Sequence, residues 1–514
     1  MTIKTFAAID VGSYELAMKI YELSVKKGMR EIDHIRYQIE LGTDTYATGK
    51  IGYERVDELC RILREFSQIM KSYRVDAYRA YGTSAIRETD NMTIILDQIR
   101  IRTGIQVDVL SNSEQRFLDY KSIASKGEVF SRIIENGTAI VDIGGGSIQI
   151  SLFDKDTLVS TQNLRLGVLR MREALSKIEP QQSQVEELVE ELVSNQLYNF
   201  KRMYLKDRSI KNIIIVDDYL SVVLQNRTGV TGEKGYIDVE SYQDLMNALR
   251  DKNVAEISNY LGIPEENSIL LFLSAVLMRR LIKVMEAEWI FAPGVTLCDG
   301  IAYEYAEQNH IMTLSHNFEQ DIIACAQNIS KRYMGSKKRG ETLEKITLTL
   351  FDSMKKIHGL GKRERLLLQI AALLHDCGKY ISLSLVGTSS YSIIMATEII
   401  GLSHTEREIV ANIVKYNHLD FDYYEELSKY STLDRNAYLS IAKLTAILRL
   451  ANGLDKSHKQ KFKDIRITVK EDDLIIMVDT QEDISLEKGL FGDSADFFEE
   501  VYSMRPIIKQ KKMN

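Results

Sequence analysis

The chain has 514 residues, a formal net charge of −7, and 45% hydrophobic and 27% charged residues, the balance of a soluble globular protein with three or four domains. The acidic charge argues against general nucleic-acid binding, no apolar run reaches the ~20 residues of a membrane span, and Asp10 interrupts the early apolar stretch that a leader would need. Cys60, Cys298, Cys325 and Cys377 lack paired spacing, which predicts reduced, buried thiols in a cytoplasmic protein.

In chain order, the first informative segment is Phe6-Ala7-Ala8-Ile9-Asp10-Val11-Gly12-Ser13. It reads as a strand, an acid, a glycine turn with a small hydroxyl, and then a second strand from Leu16 to Leu23. Apolar residues at Val56, Leu59, Ile62, Leu63 and Phe66 have helical spacing. Val75 to Ala80 and Gln106 to Leu110 predict strands. Ser113 to Ile123 predicts a short helix capped by Asn112 or Ser113. The segment Ala139 to Ile150 repeats the opening pattern more strongly: an apolar run ends in Asp142, Gly144, Gly145, Gly146 and Ser147 form the turn, and a second apolar run follows. A turn without Cβ atoms lets backbone N–H groups approach phosphate oxygens, and an aspartate beside it can anchor Mg²⁺.

Gln181 to Tyr204 predicts a charged helix, Asn212 to Val216 a buried strand, and Glu266 to Met285 a long apolar helix. Gly294 precedes a helix start near Thr296. Beyond about residue 306 the pattern becomes almost wholly helical, with Lys337-Lys338-Arg339 as a solvated loop. From residue 462 strand alternation returns, followed by a helix from Ala495 to Tyr502. The predicted organisation is two α/β domains (1–125 and 126–305), a helical domain (306–461) and a small α/β cap (462–514). The duplicated Asp–Gly turns predict a phosphate-bearing ligand clamped between the first two domains.

That duplication is the plan of the actin-like, sugar-kinase-like (ribonuclease H-like) superfold. Further segments resemble the exopolyphosphatase/guanosine pentaphosphate phosphatase (Ppx/GppA) family. They are Tyr81 to Asn91, Leu166-Gly167-Val168-Leu169-Arg170, and Pro293-Gly294-Val295 through Asp299-Gly300-Ile301. Ala371 to Lys379 and Gly401 to Glu408 resemble the HD-type helical domain of its long members. The resemblance implies a Mg²⁺-dependent hydrolase that removes terminal phosphate from inorganic polyphosphate or guanosine pentaphosphate, acting as a homodimer. It assigns Glu114 as the base that activates water and Arg87 as the charge stabiliser, with Asn91 orienting Arg87. Gly12, Ser13, Gly144 to Gly146, Ser147, Arg170 and Gly294 would bind phosphate. Asp142, with Asp10, would hold the metal.

Several positions depart from the family pattern. Tyr14 and Glu15 add bulk and charge to the first turn, and Ile148-Gln149 replaces Thr-Glu after the second. Asp217-Asp218 puts two carboxylates on a loop expected to face phosphate. Of the HD ligand set only His375 and Asp376 remain. Thr342, Ser389 and Asn452 stand at the other places, which predicts a vestigial pair without hydrolytic chemistry. These departures favour an alternative function: a catalytically degenerate protein that binds polyphosphate or a nucleotide and regulates a partner.

Overall fold

The computed structural model describes residues 3–155, 157–178, 182–206, 208–217, 219–250, 252–312, 316–462 and 464–510. Two compact units divide it, Met1–Phe318 and Glu319–Asn514. The predicted residues Gln181 and Asp218 lie outside the described residues.

The first unit contains two sheets of one plan. The first sheet is built from β1 (Lys4–Val11), β2 (Glu15–Ser24), β3 (Gly28–Gln38), β4 (Ala77–Gly82) and β5 (Asp108–Val109), in the order β3-β2-β1-β4-β5. The second contains β6 (Thr138–Ile143), β7 (Ile148–Asp154), β8 (Thr157–Leu164), β9 (Asn212–Val216), β10 (Tyr236–Asp238) and β11 (Trp289–Phe291), in the order β10-β11-β9-β6-β7-β8. In each sheet the strand entering the Asp–Gly turn is antiparallel to the strand leaving it and parallel to a later one: β1 with β2 and β4, β6 with β7 and β9. The sequence repeat is therefore a repeat of topology. The third strands, β3 and β8, were not expected. β3 has charged and half-buried residues at most positions, as an edge strand does.

Period-2 alternation places the first sheet between two cores. Ala7, Ile9 and Val11 of β1 pack with the helices Tyr53–Ser72 and Met92–Thr103. Phe6 and Ala8 face the opposite way, against Leu118 and the helix Leu297–Gln308. That helix returns the chain to the first sheet, so the expected 126–305 domain does not hold its own last helix. Lys19 of β2 anchors it, donating to Asp299 at 2.9 Å, while Tyr21 donates to the other carboxylate oxygen at 2.9 Å. Burial pulls the Lys19 ammonium down, but attraction and hydrogen bonding to Asp299 outweigh it and hold the pKa above its ordinary value.

The second unit is mainly helical, with buried helices at Lys362–Leu374, His404–Tyr416 and Arg435–Leu454. His404 opens its helix behind a Ser403–Glu406 capping box, as a boundary residue should. Lys337-Lys338-Arg339 is not a loop: it opens the helix Lys337–Ser353, and Arg339 is buried. The tail forms a three-stranded sheet, β12 (Ile465–Lys470), β13 (Asp473–Val478) and β14 (Arg505–Gln510), with β13 central. No described helix in either unit is long and apolar enough to cross a membrane.

Candidate active site

The two Asp–Gly turns are equivalent residue for residue. In the first, the Gly12 N–H donates to the carbonyl of Glu15 at 3.0 Å; in the second, the Gly144 N–H donates to that of Ser147 at 2.9 Å. This matches Asp10 to Asp142, Gly12 to Gly144 and Ser13 to Gly145. The turns also touch across the boundary between the two sheets. A Cβ built on Gly145 would lie 3.1 Å from Cβ of Ser13, and one on Gly146 would meet Oη of Tyr46 at 2.3 Å. The glycines are therefore required by close approach between the domains.

The second turn is clamped from behind by the helix Val168–Ser176. Val168 N–H donates to Gly144 at 3.1 Å and Leu169 N–H to Gly145 at 3.0 Å. Among the described residues no hydrogen bond engages the N–H groups of Ser13, Gly145 or Gly146. The Ser13 hydroxyl joins Ser84 (2.8 Å) and Tyr46 (3.0 Å) and accepts from the Ala85 N–H at 3.2 Å.

Between the turns lies a small cleft of about 60 Å³. Asp10, Gly12 and Ser13 line one side, Asp142, Gly144 and Gly145 the other, with Gln115, Asp119 and Thr296 also in its wall. The described lining includes carboxylates of Asp10, Glu15, Asp119, Asp142 and Asp217 but no lysine or arginine. Glu15 is paired with Arg36 by two bonds of 2.8 and 2.7 Å. Asp217 does not confront a ligand as expected. Its oxygens accept from the N–H groups of Leu220 (3.1 Å) and Ser221 (2.6 Å) and from Oγ of Ser274 (2.7 Å). Burial raises its pKa, and these donors offset part of the rise. Tyr14 is also structural: it packs into the second domain's core and donates to Asn267 at 2.5 Å.

Other expected site residues are placed elsewhere. The Glu114 carboxylate accepts the Ser111 N–H at 2.9 Å, and the Glu114 N–H donates to Oγ of Ser111 at 3.2 Å. Ser111, not Asn112 or Ser113, caps the helix Asn112–Ala124, and Glu114 completes the capping box. The next residue, Gln115, takes the place in the cleft, with Nε2 3.5 Å from Oδ2 of Asp142. Arg87 is outside the lining and donates to the Leu110 carbonyl at 2.7 Å. Asn91 does not orient it: Nδ2 donates to Ile51 at 2.9 Å, and Oδ1 accepts from Thr89 at 2.6 Å. Arg170 donates to Gly146 O at 2.7 Å, pairs with Glu88 and lies over the Tyr46 ring, so its charge is spent holding the turn. Gly294 lines a separate hollow with Lys126, Gln225 and Lys234. Gln149 is buried on β7 opposite Asp142. Sequence reasoning missed Asp119 and Thr296. Asp119 had a signal: it stands four residues after Gln115, between the apolar Leu118 and Tyr120.

In the second unit, His375 and Asp376 are buried, with Nε2 of His375 3.6 Å from Oδ2 of Asp376. Burial lowers the His375 pKa to about 4 against the raising effect of Asp376, and the positive Arg339 lowers it further. Arg339 donates to Oδ1 of Asn452 at 2.7 Å and lies 3.6 Å from Asp455. Thr342 instead donates to its own helix, at the Lys338 carbonyl. Among the described residues no three His, Cys, Asp or Glu side chains gather to hold a metal.

The model of the Ppx/GppA phosphatase family matches residues 20–309, more than half of the chain. The chain belongs to this family. The family's domain III model matches residues 323–493. Among the relatives, the guanosine-5'-triphosphate,3'-diphosphate pyrophosphatase of Vibrio atlanticus is 19% identical over 427 residues, covering 78% of each chain. Exopolyphosphatase 1 of Mycobacterium tuberculosis is 26% identical over 144 residues, 28% of this chain and 40% of that one. The bifunctional 3-dehydroquinate synthase/phosphatase of Fusobacterium nucleatum is 21% identical over 222 residues, and the match spans only 31% of its length. A solved exopolyphosphatase of Cytophaga hutchinsonii has a TM-score of 0.50 at 16% identity, covering 60% of this chain and 100% of its own. An exopolyphosphatase-like protein reaches 0.52 at 20% identity, again over 60% and 100%. These structures share the fold of the family's α/β part.

Proposed function

We propose that the cleft hydrolyses the outer phosphoanhydride bond of inorganic polyphosphate or guanosine pentaphosphate with Mg²⁺. The observation that carries this reading is the pair of equivalent Asp–Gly turns lining one cleft, with Ser13 and Gly145 in its wall and no hydrogen bond engaging their N–H groups among the described residues. A polyanion meeting an acidic lining requires a cation between them. Asp10 and Asp142 supply hard oxygen donors at equivalent places, and Mg²⁺ needs only one or two carboxylates beside water and phosphate. The metal would supply charge neutralisation at the transferring phosphoryl group. The turns orient that group, and Gln115 helps position the attacking water. The helical unit is read as an HD-like domain whose metal place is taken by the Arg339 guanidinium. The protein is read as a homodimer in the cytoplasm, a reducing compartment that suits four buried cysteines with no disulfide among the described residues.

One observation favours a second reading, binding without turnover: the carboxylate of Glu114 closes a helix cap, and an amide, Gln115, occupies the cleft. Phosphate release from both substrates with Mg²⁺, measured beside calorimetric binding, separates the two. The hydrolase reading expects release by the wild type and its loss in Asp142→Asn. Tight binding with no release supports the second.

A further inference from the structure

We propose that the hollow beside Gly294 is a subsite for the phosphate chain that trails out of the cleft, which makes long-chain inorganic polyphosphate, not guanosine pentaphosphate, the substrate this site fits. The inference rests on the reading above that the cleft receives a terminal phosphoryl group. The cleft itself is too small for a chain. It has about 60 Å³ of space, and its described lining carries carboxylates and no lysine or arginine. A polyanion whose end enters it must place its remaining charge elsewhere. The hollow is larger, about 430 Å³, and presents the side chains of Lys126 and Lys234. Among the described residues no carboxylate pairs with either ammonium group. Glu233, the acid in the same lining, accepts from Arg132 with both oxygens at 3.0 Å. The hollow is therefore left with a net positive wall, and such a wall attracts a polyanion.

Three segments connect the cleft to the hollow. Asp119 lines the cleft and Lys126 the hollow. Seven residues separate them, close to two whole helical turns, so both stand on one side of the helix Asn112–Ala124 and its closing turn, about 10 Å apart along the axis. Tyr219 lines the cleft, and Gln225 lines the hollow at the other end of the helix Leu220–Leu224. Gly294 and Thr296, two residues apart, line the hollow and the cleft respectively. A Cβ on Gly294, where φ is +65°, would fall 2.1 Å from Oε1 of Gln225, so glycine is what lets these two walls of the hollow meet. A tripolyphosphate has only two phosphates beyond the one in the cleft and falls short of Lys126, whereas a long chain crosses the hollow.

The lining favours a phosphate chain over a nucleoside. A base binds by stacking on an open aromatic face. Phe291, the aromatic residue in the hollow's described lining, is only 8% exposed. What the hollow offers is charge and hydrogen-bond donors: two ammonium groups, the side-chain amides of Gln225 and Asn226, and the Gly294 N–H, which no hydrogen bond engages among the described residues.

The test uses the full-length protein with Mg²⁺ and three compounds: tripolyphosphate, long-chain polyphosphate and guanosine pentaphosphate. Phosphate release and calorimetric binding are both measured. In the double variant Lys126→Gln/Lys234→Gln, the ratio of kcat/KM for long-chain polyphosphate to that for tripolyphosphate is expected to fall roughly five- to thirtyfold. The fall should lie in KM, and in Kd by calorimetry, with kcat for the long chain held within about twofold. Added KCl should weaken long-chain binding more steeply in the wild type than in the variant. Lys26→Gln/Lys27→Gln, in the turn between β2 and β3, makes the same change in net charge and should leave the ratio at its wild-type value. An unchanged ratio in the first variant, an equal fall in the second, or a fall confined to guanosine pentaphosphate each overturns the subsite while leaving the hydrolase reading intact. If the wild type releases no phosphate, the hydrolase reading fails, and calorimetry still decides the subsite: weaker long-chain binding by Lys126→Gln/Lys234→Gln supports it, and equal binding overturns it.

Discussion

Replacing Gly167 by alanine tests whether the glycine turn is held in shape by the helix behind it. Gly167 has φ −70° and ψ 159°, a conformation alanine adopts readily, so any effect is steric. The added Cβ would lie 2.3 Å from the Gly145 carbonyl oxygen and 2.4 Å from the carbonyl carbons of Gly145 and Gly146. All three are backbone atoms, and separations near 3.4 Å are needed, so the turn and helix must part by about 1 Å. That movement stretches the Val168–Gly144 and Leu169–Gly145 hydrogen bonds, now 3.1 and 3.0 Å, beyond useful length. Overpacking costs roughly 1–3 kcal/mol, and each neutral hydrogen bond adds about 0.5–1.5 kcal/mol. The expected destabilisation is roughly 2–6 kcal/mol, read as a fall in the urea midpoint, with weakened binding of Mg²⁺-tripolyphosphate. Gly144→Ala is the control for stability, because its Cβ would approach nothing closer than Ser147 O at 3.4 Å. An unchanged midpoint and unchanged affinity in Gly167→Ala would refute the clamp.

Lys19→Met strands the buried Asp299 carboxylate and is expected to destabilise the first unit by about 3–5 kcal/mol; chemical denaturation reads it, and adding Asp299→Asn should recover part of the loss. Tyr14→Phe removes the bond to Asn267 and is expected to cost about 0.5–1.5 kcal/mol in the same measurement. His375 has a folded pKa of about 4 against an ordinary 6.5, so the unfolded chain binds the extra proton first as pH falls. Its contribution is fully present above pH 6.5 and is lost towards pH 4, a fall of up to about 3 kcal/mol. Denaturation of the full chain from pH 7 to 4, beside His375→Gln, checks the slope; equal slopes in both proteins would refute the assignment.

The chain itself determined those parts of the fold whose signal is local. Asp10-Val11-Gly12 and Asp142-Ile143-Gly144 announced two strand–turn–strand units, because an apolar run ending in Asp and Gly has few other ways to fold. Asn212–Val216 and Glu265–Met285 were legible for the same reason: one is a short, nearly all-apolar run and the other a long, largely apolar one. Edge strand β3 was not legible, since its charged residues carry no clear period. Arg339 read as part of a solvated charge run, because only the packing around Asn452 and Asp455 gives a guanidinium something to satisfy indoors.

The cleft wall shows the limit most clearly. Spacing predicted a helix after Ser111, and helical geometry sets Glu114 and Gln115 about 100° apart around its axis. Local sequence does not say which of the two points into a cleft. Tertiary packing decides it: the helix Asn112–Ala124 lies so close to the helix Leu297–Gln308 that a Cβ on Gly300 would fall 2.0 Å from the Leu118 carbonyl oxygen. That contact helps fix the rotation that sends Glu114 back to its own cap and brings Gln115 and Asp119 to the cleft.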